Sequence, residues 1–348
     1  MSTSKSCAST TSTFDLCSEE EKHRILKKVT FSSFLGNFIE WFDYASYSYL
    51  ATVIALVFFP DTDRTVAVMS TFAVFALSFL VRPIGAIFWG NMGDKKGRKW
   101  ALSISILLMS GATFLIGCLP GYAVLGIGAP LLLLLLRMVQ SFSAAGEYAG
   151  AATFIAEYAP KNHRGFYCSM VPASTAAGLL VGSLLATFMF NVWGADSAFV
   201  VDWGWRIPFL LALPLGYITH YIRTHLEDSP VYEQMQNRLK AAGREVEHPI
   251  RTLFKKHFRV LIISFGACVL NAVGFYAVLT FLPNYLETTL NYPAGDASTI
   301  TTIVLVVYIA FIFLSGRISD RLGARRCSSA PAWASSCSPS RRLCCWAL

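Results

Sequence analysis

The chain has 348 residues, of which 54% are hydrophobic and 14% are charged, and its formal net charge is +8. Soluble domains carry about 25% charged residues, so this composition argues against a soluble protein. Most Lys and Arg residues lie in the N-terminal tail and in alternate loops, as they do in membrane proteins. The positive charge therefore reports topology, and it does not indicate a nucleic-acid ligand.

The N-terminal 28 residues form the first predicted segment. Residues 1–21 are rich in Ser and Thr and contain no apolar core, which excludes a signal peptide. We expect residues 1–28 to be a disordered tail. The distribution of basic residues predicts that this tail, with the N-terminus, is cytoplasmic.

Eight apolar runs follow, and each approaches or exceeds the length of about 20 residues that crosses a bilayer. A single run could be a buried helix of a soluble protein, but eight in series predict an all-α, multi-pass membrane protein surrounded by a lipid bilayer. Spans 1 to 8 cover roughly residues 29–58, 66–90, 100–119, 124–157, 166–191, 203–223, 258–286 and 297–316.

The spans form two groups. Spans 1 to 6 make up an N-terminal six-helix half at residues 29–223, and a polar, basic cytoplasmic linker follows at residues 224–257. Residues 258–326 hold the first two helices of a second half. Residues 327–348 have no run that could span, and we interpret them as an aberrant tail produced by a frameshift or truncation after about residue 326. The alternative is a true short tail on an eight-span protein.

A short charged segment occurs twice, each time after a long apolar run. The first copy, from Gly90 to Lys99, reads GNMGDKKGRK, and the second, from Gly316 to Arg326, reads GRISDRLGARR. Glycines permit a tight turn between helix ends, and the shared Asp can accept hydrogen bonds from a neighbouring helix N-terminus. Repetition of the same turn at the membrane edge is typical of transporters that are built from two related halves.

Charged residues also lie inside the spans. Span 1 contains Glu40, span 2 contains Arg82 and span 4 contains Glu147, at similar depth. Span 1 also contains Asp43, and span 4 contains Arg137. A charge at the bilayer centre costs about 2.5–3.5 kcal/mol, so these groups should face partners. Because an arginine favours the ionised form of a nearby acid, their separation would favour proton binding. We predict a proton-coupling set. The alternative is that Glu40, Arg82 and Glu147 form a static buried network and that Asp43 and Arg137 are likewise structural.

Aromatic residues are concentrated on span 1. Quaternary ammonium ligands bind over aromatic faces, so these side chains are candidates for substrate contact, whereas the arginines would equally suit a carboxylate. The alternative is that these residues have no role in binding, because aromatic residues are common in membrane spans and at membrane interfaces. The predicted substrate-binding residues are Trp41, Tyr44, Tyr47, Asn271 and Tyr276.

The doubled charged segment resembles the signature of the major facilitator superfamily, which lies between spans 2 and 3 and again between spans 8 and 9. Further segments resemble its metabolite:proton symporter family, and within that family the proline/glycine betaine transporters. Family members usually have Gly in place of Ser141. The resemblance covers about residues 30–326. Its segments are GNFIEWFDY, LVRPIG, RMVQSFSAAGEYAG, EYAPKNHRG, DWGWRIPF, LEDSP and TFLPNYL.

The resemblance implies the major facilitator fold with about eight of its usual 12 helices, in the plasma (inner) membrane. The implied activity is secondary active, proton-coupled uptake of a small metabolite, with proline or glycine betaine as the expected substrate. Proton symport of a carboxylic acid such as 2-oxoglutarate, citrate or shikimate, or an inactive truncated product, are the alternatives. We expect no enzymatic activity, no cofactor and no metal, and the oligomeric state stays open.

The resemblance also implies roles for particular residues. Asp43 and Arg137 correspond to a coupling pair of sugar:proton symporters. Glu157 and Arg164 should pair with the basic segment at Arg98, and Asp94 would meet span 11, which this chain lacks. The predicted conformational latch comprises Gly90, Asp94, Gly97, Arg98, Glu157, Arg164, Gly316, Asp320 and Arg321.

Overall fold

The computed structural model describes residues 18–160, 162–194, 197–226, 229–241, 258–276 and 294–322. The chain divides into two units. The bundle unit comprises residues 27–151 and 177–229, and the second unit comprises residues 1–26, 152–176 and 230–348.

Regular structure in the described residues is helical. The α-helices are α1 (Glu19–Tyr49), α2 (Ala51–Phe58), α3 (Arg64–Ser78), α4 (Arg82–Lys96), α5 (Arg98–Cys118), α6 (Tyr122–Leu125), α7 (Gly128–Ala144), α8 (Glu147–Tyr158), α9 (Arg164–Cys168), α10 (Met170–Trp193), α11 (Ala198–Asp202), α12 (Ile207–Thr224), α13 (Pro230–Ala241), α14 (Phe258–Tyr276) and α15 (Ala294–Leu322). Two 3₁₀ turns, Phe79–Val81 and Gly204–Arg206, lead into α4 and α12.

Five helical stretches in the described part of the chain are long and apolar enough to cross a membrane. They match predicted spans 2, 3, 4, 5 and 8, and they are Arg64–Lys96, Arg98–Cys118, Gly128–Tyr158, Arg164–Trp193 and Ile303–Arg321. Span 1 is divided at Leu50 between the charged helix α1 and the apolar helix α2. Span 7 begins as α14, and its predicted end at residues 277–286 lies outside the described residues.

The first helix begins earlier than predicted. Helix α1 starts at Glu19, so the prediction of a disordered tail was wrong for residues 19–28, while residues 1–17 lie outside the described residues. Three acids occupy the first turn of α1, where they interact favourably with the helix dipole. The Ser18 hydroxyl also accepts a hydrogen bond from the Glu21 backbone N–H at 3.3 Å. These local interactions stabilise a helix at residues 19–28, although the polar composition of the segment suggested a disordered tail.

The repeated charged segment, predicted as a turn at the membrane edge, is mostly helical. Helix α4 continues to Lys96, and α5 starts at Arg98, so Gly97 alone separates them. Gly97 has φ +98°, which a residue with a side chain rarely adopts. At Gly90, by contrast, an added Cβ would meet nothing within 4 Å, so packing does not explain that glycine. The second copy is likewise helical as far as Leu322.

The boundary of the bundle unit also departs from the predicted N-terminal half. Residues 152–176 belong to the second unit, together with α15. The reason is local packing: Ala176 and Leu305 form a buried cluster, and the Phe166 ring lies 6.2 Å from that of Phe313. Spans 4 and 5 thus each contribute to both units.

The DWGWRIPF segment has a structural role. Trp205 is fully buried and packs edge-on against Phe58, with ring centroids 5.7 Å apart. The next residue, Arg206, donates hydrogen bonds from Nη1 to the carbonyl oxygens of Gly117 at 2.8 Å and Leu119 at 2.6 Å. These carbonyls lie at the end of α5, where helical partners are lacking. The segment therefore caps span 3 and anchors the start of span 6.

Polarity is distributed in the opposite way to that of a soluble protein. Asp43, Arg137 and Arg223 are buried, whereas Leu80 and Ile127 are 71% and 74% exposed. Charged side chains are almost never fully buried unless they are paired, and apolar side chains face lipid without cost. The distribution fits a helical bundle in a bilayer.

Two glycines allow α10 to approach α1 closely. A Cβ at Gly178 would lie 2.8 Å from the Phe38 carbonyl oxygen, and a Cβ at Gly182 would lie 2.5 Å from the Ala45 Cβ. The two glycines are four residues apart and thus on one face of α10. Small residues at this spacing let membrane helices pack backbone against backbone.

Replacing Gly178 by Ala should therefore destabilise the bundle by about 1–3 kcal/mol, because rigid backbone atoms must move. Gly111→Ala is the matched control, since an added Cβ there meets nothing within 4 Å. The control should be neutral or more stable by up to about 1 kcal/mol. Thermal unfolding of both variants in detergent measures the difference, and equal melting temperatures would contradict the close-packing role of Gly178.

Candidate functional site

Helix α1 carries a line of charged and aromatic residues into the interior of the bundle unit. Glu40, Asp43, Tyr44 and Tyr47 are all buried, and their spacing of three or four residues places them along one side of the helix. Among the described residues of this unit, three acids form ion pairs with three arginines. One pair centres on Asp43, one on Glu40 and one on Glu147.

Asp43 and Arg137, whose pairing the family resemblance implied, are in direct contact. Arg137 Nη1 donates to Asp43 Oδ2 at 2.6 Å and to Gln140 Oε1 at 2.8 Å. Gln140 Nε2 donates to the same Oδ2 at 2.5 Å and to Thr113 Oγ1 at 2.9 Å. The four side chains link α1, α5 and α7 into one buried network.

Sequence reasoning missed Gln140. It follows Arg137 by three residues, and both are buried on α7. Residues three apart share a helix face, so the sequence did contain a signal for a second polar group beside the arginine.

Arg137 has a further, uncharged partner. Its guanidinium carbon lies 3.9 Å from the centroid of the Tyr47 ring, and the Tyr47 hydroxyl donates to the Thr71 carbonyl oxygen at 2.9 Å. Phe75 stacks on Tyr47 with ring centroids 5.4 Å apart. A cation over an aromatic face is stabilised even without a counter-charge, so Tyr47 supports the arginine independently of Asp43.

Glu40 pairs with Arg82, and Tyr44 joins them. Arg82 Nη2 donates to both Glu40 Oε1 and the Tyr44 hydroxyl oxygen, and Tyr44 donates to Glu40 Oε1 at 3.1 Å. The Arg82 guanidinium also lies 4.7 Å from the centroid of the Phe79 ring. The Arg82 side chain is 28% exposed, whereas that of Arg137 is 1% exposed. Arg82 is therefore the more accessible of these two arginines.

Glu147 pairs with an arginine that was not among the predicted site residues. Arg223 donates to Glu147 Oε2 at 3.0 Å and to Oε1 at 2.5 Å, and it also donates to the carbonyl oxygens of Leu102 and Ser32. A Cβ at Gly36 would meet Arg223 Nη2 at 2.6 Å, so the pair needs a glycine beside it. The cluster joins α1, α5, α8 and α12. The burial of Gly216, Thr219 and Arg223 on α12 follows helical periodicity, which could have indicated an inward-facing arginine.

The predicted substrate-binding residues fall into three groups. Tyr44 and Tyr47 belong to the ionic networks, and one face of Tyr47 is covered by Arg137. Trp41 is partly buried and packs edge-on against Tyr44, with ring centroids 5.8 Å apart. Asn271 and Tyr276 lie on α14, and their side chains are outside the described part of the structure.

The second copy of the charged segment binds the start of span 5. Asp320 accepts hydrogen bonds from the backbone N–H groups of Gly165 at 2.7 Å and Phe166 at 2.9 Å. A Cβ at Gly165 would lie 2.7 Å from the Gly316 carbonyl oxygen, so both glycines are needed for the close approach. A carboxylate at a helix N-terminus satisfies unpaired N–H groups and opposes the helix dipole.

Several predicted latch residues line one cleft of about 1530 Å³ in the second unit. They are Glu157, Arg164, Asp320 and Arg321, and Glu19 and Lys22 lie beside them. The remaining first-copy residues, Gly90, Asp94, Gly97 and Arg98, belong to the bundle unit. The pairing of Arg98 with Glu157 and Arg164 stays a prediction.

No group of three or more His, Cys, Asp or Glu side chains suited to a metal ion occurs in the described ranges. The buried acids there are instead held by arginines, as the three ion pairs demonstrate.

Known proteins are similar to this chain in sequence. The profile of the Major Facilitator Superfamily matches residues 34–329. The proline/betaine transporters of Salmonella typhimurium and Escherichia coli K12 are each 39% identical over 308 residues, which is 86% of this chain and 61% of theirs. The glycine betaine/proline/ectoine/pipecolic acid transporter OusA of Dickeya dadantii is 38% identical, over 86% of this chain and 60% of its own. The chain thus spans about three fifths of the length of these relatives.

Solved structures agree on the fold. The proton:xylose symporter XylE bound to 6-bromo-6-deoxy-D-glucose has a TM-score of 0.71 at 18% identity, over 94% of this chain and 82% of the other. A partially occluded, inward-open form of XylE from E. coli has a TM-score of 0.62 at 17% identity, over 93% of this chain and 82% of the other. With its helical architecture and the match of the family profile, the chain is a multi-pass membrane protein that belongs to the major facilitator superfamily.

Proposed function

We propose that this chain is a secondary active transporter, and not an enzyme, that takes up proline or glycine betaine together with protons. The observation that carries the proposal is the buried contact between Asp43 and Arg137, at 2.6 Å. The three relatives reported above are named as proline or betaine transporters, which supports the substrate class. The proposed location is the plasma (inner) membrane, with the N-terminus in the cytoplasm.

The Asp43–Arg137 pair supplies a means of coupling. A buried ion pair is stable only while both charges keep their partners, so any movement that separates them leaves an unfavourable buried charge. Proton binding neutralises Asp43, and Gln140 and Tyr47 remain in contact with Arg137. Protonation thus changes which arrangement of α1 and α7 is preferred, which is the requirement for linking a proton to a conformational change.

The substrate contacts follow from accessibility. A zwitterion such as glycine betaine presents a carboxylate and a quaternary ammonium group. Arg82 is partly exposed and suits the carboxylate, while Trp41 suits the ammonium group. Tyr44 contacts both residues, so it would align the two ends of the ligand. Asn271, Tyr276 and Tyr47 remain further candidates.

The charged segments act as the conformational latch. Asp320 and Gly316 hold the start of span 5, and we assign the same kind of contact to Gly90, Asp94, Gly97 and Arg98 of the first copy. Surface ion pairs contribute only about 0–1 kcal/mol. Ion pairs formed by Glu157, Arg164 and Arg321 would therefore add little to the stability of the latch. Hydrogen bonds from helix N-termini would contribute most of that stability.

Uptake by the purified 348-residue chain in liposomes tests the proposal. Labelled glycine betaine should accumulate when the outside is acidic, and a protonophore should abolish the accumulation. Excess proline should compete with the label, while 2-oxoglutarate, citrate and shikimate should not. Competition by the carboxylic acids alone would indicate the carboxylic-acid symporter instead. Absence of uptake of every solute would contradict transport by this chain and leave an inactive product.

The variant Asp43→Asn should lose gradient-driven accumulation and keep counterflow, because exchange of substrate needs no net proton movement. The asparagine still accepts a hydrogen bond from Arg137 but cannot take up a proton at neutral pH. Thr219→Val is the control, since Thr219 is buried and its hydroxyl donates to the Leu215 carbonyl oxygen of its own helix. Undiminished accumulation by Asp43→Asn would remove this acid from the mechanism.

The Glu147–Arg223 pair should behave as a structural clamp. Because Glu147→Leu leaves the buried Arg223 without a counter-charge, it should destabilise the protein by about 3–5 kcal/mol. The double variant Glu147→Leu/Arg223→Met removes both charges and should recover most of that loss. Thermal unfolding in detergent measures both effects, and a double variant as unstable as the single one would contradict the clamp.

A further inference from the structure

The two carboxylate oxygens of Asp43 have different surroundings. Oδ2 accepts hydrogen bonds from Arg137 Nη1 and Gln140 Nε2, at 2.6 and 2.5 Å. Oδ1 is buried and has no hydrogen-bond partner among the described residues. The Asp43 side chain is only 2% exposed, so this difference is fixed by the protein interior.

The donors at Oδ2 restrict where a proton can bind. An arginine N–H and an amide N–H donate and cannot accept, so a hydroxyl at Oδ2 would face two donors and lose its own partner. A proton on Oδ1 leaves Oδ2 as the carbonyl oxygen of a neutral carboxyl group. That oxygen continues to accept from both donors.

We propose that Asp43 takes up its proton on Oδ1. We also propose that Gln140 is a positioning residue, because its amide donates to Oδ2 beside Arg137 and so directs the proton to Oδ1. The inference rests on the proposed proton coupling and assigns its atom. One O–H bond forms at Oδ1 while one O–H bond of a hydronium ion breaks and leaves water, no hydrogen bond to Oδ2 is lost, and the charge of Asp43 changes from −1 to 0. The Asp43–Arg137 pair then carries a net charge of +1.

Gln140 is suited to this task because its amide has both a donor and an acceptor. Its Oε1 accepts from Arg137 whether or not Asp43 is charged, so protonation does not leave the arginine without an acceptor. Thr113 on α5 holds the amide in place at 2.9 Å. These hydrogen bonds therefore do not require a charged Asp43, and protonation removes only the electrostatic attraction between Asp43 and Arg137.

The other charged and titratable groups near Asp43 are already engaged. Tyr47 supports Arg137 with its ring and donates its hydroxyl hydrogen to Thr71. Glu40, Tyr44 and Arg82 bond to one another. Among the described residues, none of these groups donates to Asp43 Oδ1.

Infrared spectroscopy of the purified chain in lipid tests the assignment. The difference between acidic and alkaline samples should contain a carboxylic-acid C=O band that is absent from Asp43→Asn. In Gln140→Met, which replaces the amide with an apolar side chain of similar length, Oδ2 loses one donor. The band should then move to a higher wavenumber, because a carbonyl with fewer hydrogen bonds is stiffer. Thr219→Val should leave the band unchanged.

Thr113→Val provides a second test, which does not depend on the folding of Gln140→Met. It removes only the anchor of the amide, so the band should move in the same direction by a smaller amount. An unshifted band in both variants would overturn the role of Gln140. Absence of any band that depends on Asp43 would overturn protonation of this acid.

The liposome assay separates the two proposals. A band that shifts as expected, in a chain that accumulates no solute, would contradict the proposed transport and leave the assignment of Oδ1 intact. If accumulation is lost in Asp43→Asn but the infrared band of Gln140→Met has the same wavenumber as that of the unchanged chain, only the inference about Gln140 is contradicted.

Discussion

A charged group buried in a bilayer protein must have a partner of opposite charge, and the bundle unit is organised around this constraint. Asp43, Glu40 and Glu147 each contact one arginine, and each contact joins helices that are distant in the sequence. Breaking such a pair leaves an isolated charge at a cost of about 3–5 kcal/mol. The pairs therefore fix which helices lie next to α1, more specifically than apolar packing alone could.

The glycines make these pairs possible. A Cβ at Gly36 would meet the side-chain atoms Glu147 Oε1 and Arg223 Nη2, the latter at 2.6 Å. Gly36 leaves room for Arg223 and Glu147, and Gly178 brings α10 against α1. Lipid-facing surfaces give little driving force for association, so close packing and interhelical polar contacts carry it. Gly36 is thus required by a buried ion pair, whereas Gly178 serves the packing of two helix backbones.

Much of this arrangement was accessible from the sequence. The spans, the repeated segment and the acids of span 1 follow from hydropathy and spacing, and the resemblance suggested that Asp43 meets Arg137. Gln140 and Arg223 were missed for a physical reason: helical periodicity shows that a polar residue faces inward, but it does not show which residue of another helix it meets. The helical continuation of α4 to Lys96 was missed because the charged residues at the membrane edge were interpreted as part of a turn.

The three acids differ in whether both of their carboxylate oxygens accept hydrogen bonds. Both oxygens of Glu147 accept from Arg223, so protonation would remove a bidentate contact. Asp43 and Glu40 each keep one buried oxygen without a hydrogen-bond partner among the described residues. A proton can bind there while the arginine contact persists on the other oxygen. In the proposed mechanism, proton exchange is therefore confined to α1. The Glu147–Arg223 pair joins α8 to α12, and Arg223 also donates to the Ser32 carbonyl oxygen of α1, so these contacts do not depend on the charge of Asp43.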